Sequence, residues 1–128
     1  MTENAGSAEP VHQPFTPSFN YQWELGLLNY QLEDVSYRSD LIGRYASRML
    51  HPHEDRLVGC QVWNVREVLR SLSAGRPQHE ERMLTLGMLL SQASSMEAGS
   101  QVRGQYEPLV ERFSMILIPE KIHRKILG

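Results

Sequence analysis

A register of apolar residues stepping by three and four runs through the first half of the chain and constrains its fold more than any other feature. Leu25, Leu28, Leu32, Val35, Ser39, Ile42, Ala46 and Met49 keep that step without a miss. It is the spacing of the buried seam of a helix packed lengthwise on its neighbours. It predicts one long helix over residues 18–50, about 50 Å at 1.5 Å per residue. Gly26 and Gly43 weaken such a helix locally and allow another helix to come close. A second stripe, Trp23, Leu27, Tyr30, Asp34, Tyr37, Leu41, Arg44 and Arg48, keeps the same step on a different face. A helix apolar on two sides is either sandwiched between other elements or meets a partner through its aromatic face, with Tyr30 and Tyr37 as contacts.

His51 and Pro52 end this helix. Pro52 opens a second, with Glu54 and Asp55 in its first turn, Val58, Val62, Val65, Leu69 and Leu72 on its seam, and Gly75 as its stop. Pro77 marks the start of a third, with Glu80 and Glu81 followed by Met83, Leu86, Leu90 and Ala93, fading near Gly99. A fourth carries Val102, Tyr106, Leu109, Phe113 and Ile116, with Pro108 forcing a kink or a late start. Residues 113–118 have strand-like composition but also fit the helical register. Residues 119–128 read as a short basic amphipathic tail with Ile122 and Ile126 apolar. The expected architecture is all-α: a four-helix bundle with a long first helix, forming a single helical domain over residues 21–128. Ahead of it, residues 1–20 read as a flexible arm, because Pro10, Pro14 and Pro17 oppose helix; Phe15 and Phe19 dock loosely on the body or on a partner.

Composition narrows the function classes. At 128 residues the chain has the size of one domain, and its net charge of −2 argues against a general nucleic-acid binder. No run approaches the roughly 20 apolar residues of a membrane span, and the first 20 residues lack the basic start and apolar core of a signal peptide. The single cysteine, Cys60, excludes an internal disulfide framework. The expected setting is a reducing cytoplasm.

Candidate chemistry is sparse. His51 and His53 flank Pro52 at a spacing of two, not the four of a helix-borne zinc pair. Glu120 and His123 match the carboxylate–histidine step of di-iron bundles, but only one copy exists. Cys60 sits among apolar neighbours, where a thiol behaves as a small hydrophobe. No phosphate-cradling glycine loop and no nucleophile–base constellation emerges. The expectation is therefore a non-enzyme with no catalytic residue, no metal and no cofactor. Of the 13 basic residues, only Lys121 and Lys125 are lysine and the other 11 are arginine. Arginine is preferred at interfaces, although a codon bias gives the same skew. Trp63, Arg66 and Arg70 fall along one line off the valine–leucine seam, and these residue types dominate binding energy. They are the first candidate partner-binding residues, with Tyr30 and Tyr37 second. The competing reading wedges Trp63 into the bundle edge and pairs the arginines with acids of the first helix.

Two short segments, Val65-Arg66-Glu67-Val68-Leu69 and Leu84-Thr85-Leu86-Gly87, resemble helix–loop–helix segments of a known family. It is the small all-helical immunity proteins that neutralise a type VI secretion toxin of the NAD(P)-glycohydrolase kind. The likeness covers about a third of the chain. Ser94-Ser95-Met96-Glu97-Ala98-Gly99-Ser100 stands where the family has an acidic stretch and Asp-Pro. The resemblance implies a protein that occludes a cognate toxin. Two readings from other classes stand beside it. One is a homodimer or assembly subunit joined through the aromatic face of the first helix. The other is a regulator whose tail, residues 119–128, touches nucleic acid, although three cations there make a thin case.

Overall fold

Residues 15–74 and 83–128 are described by a computed structural model. The segments expected to hold Pro10 and Pro14, and the Gly75 stop with Pro77, Glu80 and Glu81, lie outside these residues.

The first half of the chain is a sheet, not a helix. Five strands, β1 (Ser18–Gln22), β2 (Leu27–Gln31), β3 (Arg38–Leu41), β4 (Ala46–Leu50) and β5 (Leu57–Trp63), pair antiparallel throughout in the order β1-β2-β5-β4-β3. Among the described residues four helices follow: α1 (Val65–Ala74), α2 (Leu86–Ser95), α3 (Ser100–Arg112) and α4 (Glu120–Leu127). The all-α bundle with a long first helix is therefore wrong, and so is the helical reading of Val58 and Val62, which belong to β5. The three–four register was a coincidence of strand positions. Leu28 and Ala46 sit on the helix-covered side of the sheet, Met49 alternates onto the other, and Val35 and Ile42 lie in connections.

Local chemistry favours the strands. A helix over 18–50 would have to hold Gly26 and Gly43 together with many tyrosines, asparagines and serines, all weak helix formers. Leu57–Trp63 is better read with period two. Val58, Cys60 and Val62 alternate with Gly59, Gln61 and Trp63, so each set faces one side. The boundary expected at residue 20 falls inside β1, where Phe19 packs on Tyr30 at 4.6 Å between ring centroids.

The described helices cover one face of the sheet. Leu28, Tyr30, Ala46, Cys60 and Val62 of the sheet meet Val65, Val68, Leu69, Leu86, Leu89, Leu90, Tyr106, Leu109, Phe113 and Ile126 in one buried core. On the opposite face Asn29, Ser47 and Gln61 are also buried. Their polar groups satisfy one another: Gln61 Nε2 donates to Asn29 Oδ1 (2.9 Å), Ser39 Oγ to Gln61 Oε1 (2.8 Å), and Trp63 Nε1 to Ser47 Oγ (2.7 Å).

The helix layer is tied down at two points. Glu97, only 6% exposed, accepts from the backbone N–H groups of Arg44 (2.8 Å) and Tyr45 (3.2 Å) and from the Tyr106 hydroxyl (2.5 Å). Gly43 makes room for this, because a Cβ there would collide with the Glu97 carboxylate. The second tie is a short antiparallel bridge between Thr85 and Leu117, with Leu86 N donating to Ile116 O and Ile118 N to Leu84 O. The strand-like composition of residues 113–118 is realised there in miniature. Thr85 also caps α2, its hydroxyl accepting from Met88 N, and Gly87 lets the Ser114 backbone approach closely.

Candidate functional site

Two backbone turns in the left-handed region bring the site together. The β1–β2 connection closes with Leu25 N on Gln22 O and Gly26 N on Trp23 O, and Gly26 takes φ 62°. Asn64, at φ 52°, turns the chain from β5 into α1, a conformation asparagine tolerates better than most residues. Val65 N then donates to Gly26 O (3.1 Å), locking the hairpin turn against the start of the helix.

Between them opens a cleft of about 410 Å³ lined by Tyr21, Trp23, Gly26, Asn64, Arg66, Glu67 and Arg70. Arg66 and Arg70 are one helical turn apart and share a face, while Val65, Val68 and Leu69 bury the opposite one. Glu67 lies between the arginines in sequence, but its Oε2 accepts from the Tyr45 hydroxyl at 3.5 Å. Neither arginine forms an ion pair with a carboxylate among the described residues. Arg66 Nε instead donates to Ile126 O (3.0 Å) at the end of α4, which packs between α1 and β1. The wall opposite is aromatic: Trp23 is 72% exposed, and Leu25 beside it is exposed as well.

The residues singled out from the sequence separate into four groups. Arg66 and Arg70 come together in the cleft. Trp63 does not join them; strand alternation turns it to the face away from the helices, where its indole N–H is held by Ser47. Tyr30 is buried among Phe19 and Phe113 (5.7 Å between centroids), and burial pushes its phenol pKa up. Tyr37 is exposed in the connection before β3. The aromatic helix face on which assembly was to rest therefore does not exist. Sequence reasoning missed Trp23 as a cleft residue because the helical stripe absorbed it. The signal was the Trp-Glu-Leu-Gly run, which ends on the glycine of a tight turn.

Other candidate chemistry lies elsewhere. Cys60 is fully buried, and desolvation pushes its thiol pKa far up, against thiolate formation. His51 and His53 occupy the β4–β5 connection, with His53 N donating to His51 Nδ1 (3.1 Å). His123, on α4, has a buried Nε2 with no hydrogen-bond partner among the described residues. A second cavity of about 360 Å³ between α2 and α3 is lined by Ser91, Ser94, Tyr106, Glu107, Val110 and Glu111. Among the described residues no three His, Cys, Asp or Glu side chains gather as a metal site, and no helix is long and apolar enough to cross a membrane. Compared with protein-family models, curated proteins and solved structures, the chain finds no match.

Proposed function

We propose that this chain is a non-enzymatic protein-binding module that acts by covering a surface of its partner, and that the cleft between the β1–β2 turn and α1 is its docking site. One observation carries the reading: an exposed tryptophan and two same-face arginines line a single open cleft. Tryptophan is costly to leave in water and, with arginine, supplies most of the binding energy at typical interfaces.

The more specific form is an immunity- or antitoxin-type protein that occludes a toxin. It rests on the two segments that resemble that family. One of them, Val65 to Leu69, contributes Arg66 to the cleft, whereas the five-stranded sheet departs from the all-helical fold the resemblance implies.

The test is co-expression with the product of the adjacent gene. An equimolar complex on size exclusion and restored growth against that product support the toxin-neutralising form, and absence of both sinks it. Within such a complex, Trp23→Ala should weaken binding by about 2 kcal/mol or more, roughly 30-fold, at unchanged thermal stability. An affinity that ignores Trp23→Ala places the docking site elsewhere.

A further inference from the structure

We infer that the cleft recognises an acidic segment of the partner protein, with a carboxylate held at Arg66 and Arg70 and an apolar neighbour laid against Trp23. This rests on the protein-binding reading above and names the chemistry that reading leaves open. The argument is charge complementarity joined to shape. The overall charge is −2, so a basic region has to be assembled by the fold. The fold does so by bringing two distant segments together. Arg66 and Arg70 come from α1, while Lys121, Arg124 and Lys125 come from α4, whose last turn is fastened to α1 through the bond from Arg66 to Ile126 O. The only acids on these two helices are Glu67 and Glu120, and Glu67 bonds to the Tyr45 hydroxyl.

Guanidinium groups one helical turn apart offer several N–H donors to a carboxylate, a stronger match than an ammonium gives. The flanking walls, Tyr21 and Trp23, supply apolar area that costs little conformational entropy to use. A basic peptide would meet two guanidinium groups against the single carboxylate of Glu67, and a wholly apolar one would offer Arg70 no acceptor.

A random peptide library displayed on phage and selected against the full chain tests this. The expected consensus places Asp or Glu beside a large apolar residue. A synthetic peptide of that consensus should lose affinity about tenfold on Arg70→Gln, and comparably on Trp23→Ala. Its affinity should also fall as salt rises. Arg70→Gln is the decisive variant, because Arg66 also holds α4 and its replacement could loosen that helix. Enriched peptides without acidic residues, or binding indifferent to Arg70→Gln, overturn the acidic assignment while leaving the protein-binding reading in place. Selection that enriches no more on the wild type than on the combined Trp23→Ala, Arg70→Gln variant overturns both.

Discussion

Glu97 shows how a single residue joins the two layers. Its carboxylate is buried and receives two backbone N–H groups of the β3–β4 connection and the hydroxyl of Tyr106 on α3. Removing the acceptor strands all three donors at once. Glu97→Ala should therefore cost about 3 kcal/mol, with Tyr106→Phe costing about 1–2 because it removes one donor and leaves the rest. Urea unfolding of both variants checks the order, and a Glu97→Ala loss below that of Tyr106→Phe would contradict the arrangement. Little of this was legible in the sequence. Glu97 stands in a run of small and polar residues that reads as a loop, and its two backbone donors lie more than 50 positions away. Arg66 and Arg70 were legible, because the i and i+4 positions of a short helix share a face whatever the helix packs on. Tyr30 and Trp63 were not, since their facing depends on the strand period.

At the scale of elements, the C-terminal helices were approached more nearly than the strands. The Leu86, Leu90 and Ala93 spacing marked α2, although the helix begins at Leu86 behind its Thr85 cap and not ahead of Met83, and Tyr106 and Leu109 marked the buried side of α3. α3 carries two residues unfavourable to a helix, Gly104 and Pro108, both exposed. A Cβ at Gly104 meets nothing within 4 Å. Gly104→Ala should thus raise stability by about 0.5–1 kcal/mol, read as a higher melting temperature with unchanged fold. A lower melting temperature would show that the helix is held differently at that point. The strands were misread because short segments such as Leu27–Gln31 and Ala46–Leu50 contain too few positions to separate period two from period 3.6. Joined end to end across turns, they produced a helical register that no single element contains.

For the molecule as a whole, a sheet covered by helices on one face concentrates ionisable groups in a dry core. Burial is the main cause that raises the pKa values of Cys60 and Tyr106, with the hydrogen bond to Glu97 adding to the effect for Tyr106. The folded protein therefore keeps these protons at a pH where the unfolded chain, with thiol near 8.5 and phenol near 10, releases them. The contribution is intact below about pH 8 and is lost as pH rises, with a slope approaching 1.4 kcal/mol per pH unit for each group. Urea midpoints should fall between about pH 8 and 11, and Cys60→Ala should remove the earliest part of that fall. A flat alkaline profile would contradict the burial of both groups. What the sequence by itself determined is local: which residues are apolar, which same-face pairs a helix presents, and how little charge is left over. What only the tertiary structure decided is which period each segment adopts and which distant residues meet. Strand pairing, the Glu97 tie and the joining of Trp23 to Arg66 and Arg70 all depend on contacts between distant parts of the chain. The free energy that selects them comes from burying one shared core, and no window of neighbouring residues contains it.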